Sequence, residues 1–237
     1  MGSLDEVVRT NFPGSLPEQG YLDAVSARLG SLGFTGANTI ASVCGCRDEI
    51  CQSLLAAIEV RWGEAFDLAS LAGLFTAGRT ALGAAVHHAP QQDGRERYVY
   101  FVFSHLAIDE EGHLGRCSRK GIRCSQACGA LHHVLADLAQ GELSDELDEL
   151  DLELSLLRRR LRRELPAGAS PDLLALTRLV RQVATDDLRQ ALQGVIASRP
   201  CDWALLSGIQ LHLPQGSWIW PAAAEVQVAG QAVPLAL

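Results

Sequence analysis

The chain has 237 residues, 48% of them hydrophobic, and a formal net charge of −8. The apolar content suffices for a sizeable core without disulfide staples, and the excess of acids argues against nucleic acid as the main partner. No run approaches the roughly 18 consecutive apolar residues that suggest a membrane span, and the polar, acidic stretch Met1 to Arg9 has no signal or transit character. The seven cysteines, at 44, 46, 51, 117, 124, 128 and 201, are odd in number and form no regular disulfide framework, so a reducing compartment fits better. Lys120 is the single lysine against nineteen arginines. With so much Ala, Leu and Gly, this composition points to GC-rich coding and to a cytoplasmic bacterial protein.

In chain order, Ser15 to Leu29 reads as a helix. Pro17 and Glu18 suit its first turn, and Tyr21, Leu22, Val25 and Leu29 give helical spacing. Gly30 and Gly33 end it, and a β-leaning run, Thr39 to Val43, follows. Helices are expected over Glu49 to Trp62 and over Leu68 to His88. Tyr98 to Phe103 is β-branched and aromatic throughout, as a buried central strand should be. It runs into Ser104-His105-Leu106-Ala107-Ile108-Asp109, and the stretch Glu110 to Ile122 reads as a loop or a strand-loop excursion. Ser125 to Ala139 is helical.

Glu142 to Arg163 reads as one charge-segregated helix, with seven acids before five arginines, an order that complements the helix dipole. Its leucines at 143, 147, 150, 154, 157 and 161 form the expected buried stripe. Ser170-Pro171-Asp172 opens another helix, to about Ser198. The tail turns to β: Trp203 to Leu213, Ser217 to Trp220, and a hairpin over Glu225 to Leu235. No linker or repeat divides the chain, so residues 1–237 read as one α/β domain. It is a central, mostly parallel sheet flanked by helices, with a C-terminal β-hairpin.

The octet Ser42-Val43-Cys44-Gly45-Cys46-Arg47-Asp48-Glu49 places thiols, a guanidinium and two carboxylates at the C-terminal edge of the first strand. Ligands of open α/β sheets bind at such edges. His105 and Cys124 or Cys128 also fall at strand ends or helix starts. Two thiolates, one imidazole and an open position describe a catalytic zinc site. Each residue also has a plain structural use. Cys is among the most buried residue types, and a lone His after a buried strand is more often a satisfied core residue. His132 and His133 lie one turn into a helix, His87 and His88 end one, and His212 lies in a strand.

Three fragments taken together carry a specific resemblance. Cys46-Arg47-Asp48-Glu49, Ser104 to Asp109 with Gly112 and Gly115, and Ser125-Gln126-Ala127-Cys128-Gly129-Ala130-Leu131 resemble the limiting-CO2-inducible protein B/C family. That family is also called the theta class of carbonic anhydrases and is similar in fold to beta carbonic anhydrases. Gly33-Phe34, Asn38-Thr39, Leu156 to Leu161, Gly208-Ile209-Gln210-Leu211-His212 and Trp220-Pro221 extend the resemblance from about Asn11 to Val228.

The resemblance implies a Zn2+ held by Cys46, His105 and Cys128, with water in the fourth position, and an Asp-Arg pair beside it. Asp48 lies two residues after Cys46, as the family pattern has it, whereas Cys44 would lie four before it. The Arg falls on Arg47, because the place four residues after Cys46 is Ile50. The expected activity is reversible hydration of CO2 to bicarbonate by a homodimer, in a recess walled by Phe103 and Leu131, with neither membrane nor nucleic acid as partner. The alternative from another class is a catalytically idle zinc protein of the same fold that binds bicarbonate or a protein partner. A thiol redox protein built on Cys44-Gly45-Cys46 is a weaker third.

Overall fold

A computed structural model describes residues 3–141 and 143–235, with Arg123 lacking a described side chain. Its elements, in order, are α1 (Leu4–Asn11), β1 (Leu16–Pro17), α2 (Glu18–Gly30), β2 (Thr39–Cys44), α3 (Gln52–Trp62), β3 (Ala65–Asp67), α4 (Gly78–His87) and β4 (Glu96–Ala107). There follow β5 (Arg116–Arg119), β6 (Ile122–Gln126), α5 (Gly129–Gln140), α6 (Leu152–Glu164), α7 (Leu173–Ile196), β7 (Cys201–Leu213), β8 (Gly216–Val228) and β9 (Gln231–Ala232). The main sheet runs β1-β8-β7-β4-β2-β3, with β9 on β8. β3, β2, β4 and β7 are parallel, and β8 returns antiparallel to β7. No helix among the described residues is long and apolar enough to cross a membrane.

The central strand shows why the sheet is covered on both faces. Val99, Phe101 and Phe103 of β4 pack with Tyr21, Leu22 and Val25 of α2 and Leu54, Ile58 and Trp62 of α3. Tyr98, Tyr100 and Val102 point the other way, against Leu82 and Val86 of α4 and Ala184 and Leu188 of α7. Strict alternation along a strand assigns each residue to one layer, and each fully buried side chain of this size contributes roughly 1.5–3 kcal/mol. A third cluster, including Leu131, Leu157, Leu161 and Val180, caps the C-terminal end of the sheet with α5, α6 and α7.

Several boundaries differ from the sequence expectation. The helix expected over Leu68 to His88 is only α4; before it runs a short 3-10 turn, Leu71–Gly73, with left-handed backbone at Ala72, Gly73 and Gly78. Gly73 is required there, since a Cβ would sit 2.6 Å from the Phe103 carbonyl oxygen. The helix expected from Glu142 starts at Leu152; Glu142 itself lies outside the described residues. Local bonds compete with helix in the preceding segment: Asp148 accepts from the Leu150 amide at 2.9 Å, and Ser155 Oγ from the Asp148 amide at 3.0 Å. Leu147 and Leu150 therefore stand exposed, and the buried stripe is Leu154, Leu157 and Leu161, with Leu143 buried separately.

The loop or strand-loop excursion expected after Asp109 is the β5–β6 hairpin, whose second strand runs on to Gln126, so that the helix expected from Ser125 starts only at Gly129. The two C-terminal strand pieces are one strand, β8, and the tail hairpin is β8 with β9. The N-terminal α1 begins at a capping pattern, with Ser3 Oγ accepting from the Glu6 amide.

Candidate metal centre

Strand length creates the site. β2 ends at Cys44, paired with Val102, while β4 runs on to Ala107 and β7 to Leu213. His105 therefore stands past the end of β2, level with the turn that carries Cys46 to Glu49. That turn is held by Ser70, whose amide bonds Gly45 and whose carbonyl accepts from the Arg47 amide. Cys128 arrives from the other side. Gly115 donates to the Ala107 carbonyl at 2.7 Å and accepts from the Ala127 amide at 3.0 Å, which ties the segment before α5 to the end of β4.

Cys46, His105 and Cys128 consequently converge, with ligand atoms within 4.8 Å of one another. All three are buried, His105 completely. The two sulfurs lie 3.8 Å apart. A tetrahedral zinc with Zn–S bonds of about 2.3 Å has an S···S edge of about 3.8 Å. Neither ring nitrogen of His105 has a hydrogen-bond partner among the described residues, although both are buried. A buried imidazole left so is costly, and a metal ion satisfies one nitrogen directly. The donor set therefore fits zinc. The cluster already favours a thiolate: Cys46 is shifted far down, first by Cys128 and then by Cys51, while Cys128 is pushed up by the same contact with Cys46.

The other candidates fall elsewhere. Cys44 faces away, its thiol 3.5 Å from the Gly73 carbonyl and pushed up to about 12 by burial. Cys124 is exposed. His87, His88 and His133 are exposed, and His132 packs against Gly115. The Cys44-Gly45-Cys46 thiols do not pair.

Asp48 stands at the edge of the donor triad, its Oδ2 4.0 Å from His105 Nε2. Burial raises its pKa, with Glu49 adding to the rise and His105 opposing it. The guanidinium beside it is not that of Arg47. Arg47 turns outward and forks onto Glu153 of α6, with Nε and Nη2 bonds of 2.8–3.0 Å. Its neighbour Asp48 must face inward to reach His105, and successive side chains on an extended turn point apart. Arg119, on the β5–β6 hairpin, lies 3.6 Å from Asp48 Oδ1 and 2.7 Å from Glu49 Oε1. Nothing local in the sequence marked Arg119.

Two further groupings adjoin the triad. Cys51 and His212 meet at 3.7 Å, next to His105, whose ring contacts that of His212 edge-on at 5.3 Å. Burial keeps His212 neutral, with its pKa lowered to about 3. Gln210, directly paired with His105 across the sheet, donates to Glu18 at 2.7 Å. Burial raises the pKa of Glu18. The Gly208-to-His212 motif was the available signal for Gln210 and His212.

Two cavities flank the centre. One of about 200 Å³ is lined by Val43, Leu54, Leu55 and Phe103 together with Cys46, Cys51, Arg47, Asp67 and Gln210. Leu131, expected as a wall, belongs instead to the core beneath α5. The other, of about 470 Å³, is lined by Ser53, Asp109, Glu110, Arg119 and His212.

A family model for limiting CO2-inducible proteins B/C beta carbonic anhydrases matches residues 15–228. The crystal structure of limiting CO2-inducible protein LCIB is similar at a TM-score of 0.78 and 31% identity, covering 96% of this chain and 97% of that one. The structure of PtLCIB4, a homolog of LCIB, has a TM-score of 0.83 at 22% identity, covering 98% and 99%. A search of curated proteins returned no match. With a match over most of its length, and with its motif residues gathered at the strand ends, this chain belongs to the limiting CO2-inducible protein B/C family of beta carbonic anhydrases.

Proposed function

We propose that the chain catalyses the reversible hydration of CO2 to bicarbonate, with Cys46, His105 and Cys128 holding a zinc ion. The observation that carries this reading is the buried Cys-His-Cys triad with a carboxylate, Asp48, at its edge. A zinc ion held there lowers the pKa of water and so supplies hydroxide near neutral pH. Asp48 accepts the hydrogen of the attacking oxygen, which turns a lone pair toward carbon. His105 and the Ile50 amide oppose the burial that raises the Asp48 pKa, and the Arg119 guanidinium stands 3.6 Å from its Oδ1, where it orients the carboxylate. Val43, Leu54 and Phe103 give CO2 an apolar surface beside the triad, in a cavity that Gln210 also lines. The same proposal takes the working form to be a homodimer in the bacterial cytoplasm, the first part testable by sedimentation.

The deciding experiment measures CO2 hydration by purified protein before and after metal chelation, and again after zinc is restored. Activity that disappears and returns with zinc supports the proposal. A zinc-loaded protein with no activity above the buffer rate identifies an idle zinc protein instead.

A further inference from the structure

The charge-segregated stretch that runs into α6 lies outside the donor triad. Residues 144–152 are all exposed. They carry Leu147, Leu150 and Leu152 at 49%, 98% and 49% exposure, set among Asp145, Glu146, Asp148, Glu149 and Asp151. Asp145 pairs with Arg162, and Asp148 accepts from the Leu150 amide. The carboxylates of Glu146, Glu149 and Asp151 have no ion pair or hydrogen bond among the described residues. Bare leucines among unpaired acids form a surface that this chain itself does not cover.

The other end of α6 is its converse. Leu152, Leu156, Arg159 and Arg163 are spaced four, three and four apart, so they share one face of the helix. That face is turned away from the buried stripe Leu154, Leu157 and Leu161. Arg158, Arg160 and Arg162 are paired with Asp137, Asp187 and Asp145. Arg159 and Arg163 have no ion pair or hydrogen bond among the described residues. They line a groove of about 340 Å³ together with Leu74, Phe75, Thr76, Leu156 and the Arg160–Asp187 pair. The groove thus offers apolar surface between unpaired cations, where the preceding segment offers apolar surface between unpaired anions.

We propose that this face is where two copies of the chain associate, with their α6 helices antiparallel about a twofold axis. Leu150 and Leu152 of each copy cover the groove beside Phe75 of the other, and Glu149 and Asp151 pair with the other copy's Arg159 and Arg163. Antiparallel order sets Leu152 opposite Arg163 and Leu156 opposite Arg159, and the same contact is made twice, as an isologous interface requires. A parallel order would set acids on acids and arginines on arginines, which repel. The inference rests on the homodimer reading above and adds the face that forms it.

Sedimentation equilibrium of the full chain, with a charge swap, tests it. The variants Arg159→Glu/Arg163→Glu and Glu149→Arg/Asp151→Arg should each keep the wild-type circular dichroism, since none of the four residues is buried. Each should weaken dimerisation by about tenfold or more, because like charges then meet across the axis. Mixed in equal amounts, the two should associate as one-to-one heterodimers with wild-type affinity, since acids again face arginines at both contacts. Leu150→Ser should weaken the wild-type dimer by about tenfold. Wild-type dimerisation in both charge variants would overturn the proposal and leave the homodimer standing on another face. Weakened variants whose mixture stays monomeric would overturn it too. A wild type that is monomeric at every concentration removes the homodimer reading itself. If either double variant fails to fold, the single changes Arg163→Glu and Asp151→Arg, alone and mixed, decide in its place.

Discussion

Arg119 reaches Asp48 from a hairpin far along the chain, its Nη1 3.6 Å from Asp48 Oδ1, while Arg47, adjacent to Asp48 in sequence, is bound to Glu153. This exchange of partners separates two arginines that a linear reading cannot. Arg119→Gln should lower CO2 hydration by about tenfold or more, through loss of the oriented Asp48 carboxylate. Arg47→Gln should stay within a few-fold of wild type, since its side chain is largely exposed and paired with α6. Steady-state hydration rates of the two variants, compared at equal zinc content, check this. The reverse ranking would return the role to Arg47.

Asp48→Asn tests the carboxylate itself. Asparagine keeps the shape but loses the charge, and its amide can donate a competing hydrogen bond. Positioned acid–base groups contribute roughly 10²–10⁴-fold, and a loss in that range is expected with zinc retained. Metal analysis beside the kinetics separates the outcomes: full rate means Asp48 has only a structural part, and lost zinc means it supports the ion.

Metal content distinguishes the cysteines. Purified protein should hold close to one zinc per chain. His105→Ala should lose it, because that residue belongs to every donor set at the centre. Cys44→Ser should keep it, since its thiol faces Gly73 in a separate cluster. Elemental analysis after gel filtration reads both, and zinc retained at full stoichiometry in His105→Ala would refute the ligand assignment.

Gly208 shapes the small cavity. A Cβ there would lie 2.5 Å from the Trp220 carbonyl oxygen and 2.7 Å from Phe103 Cε1, at the bulge between β7 and β8. Gly208→Ala should push Phe103 toward the cavity and lower stability by about 1–3 kcal/mol. Urea titration measures the loss. An unchanged midpoint would show that the bulge relaxes freely.

At the N-terminal end of the central strand β4, Arg199 bonds Glu96 at 2.5–2.6 Å and Tyr98 donates to it at 2.5 Å. Arg199, then Tyr98, lowers the Glu96 pKa from 4.5 to about 2, against the opposing effect of burial. A depressed carboxyl pKa stabilises the fold above the unfolded value and loses that contribution as pH falls through the folded one. Glu96 should therefore contribute roughly 2–3 kcal/mol near neutrality, fading between about pH 4.5 and pH 2. Wild type should be more stable than Glu96→Gln at pH 6, and the gap should close over that window. A gap independent of pH would mean that packing alone accounts for it.

The sequence by itself determined the elements whose signal is local. The aromatic run of β4 could only be a central strand, and Ser170-Pro171-Asp172 announced α7, although its N-cap is Asp172, which accepts from the Ala175 amide at 2.7 Å, and not the expected Ser170. Spacing brought Cys44 or Cys46, His105, and Cys124 or Cys128 to element ends, and the family resemblance picked Cys46, His105 and Cys128 from among them. What only the tertiary structure decided depends on lengths and partners that no local pattern encodes. β4 outruns β2, and this places His105 beside Cys46 instead of Cys44. The segment before α6 satisfies its backbone with Asp148 and Ser155 and leaves Leu150 in solvent, against its heptad-like spacing. Arg119 displaces Arg47 at Asp48, and Cys51 meets His212, because side chains distant in sequence share a face only after the sheet has formed. Local pattern thus placed the candidate donors at element ends, and packing chose their neighbours.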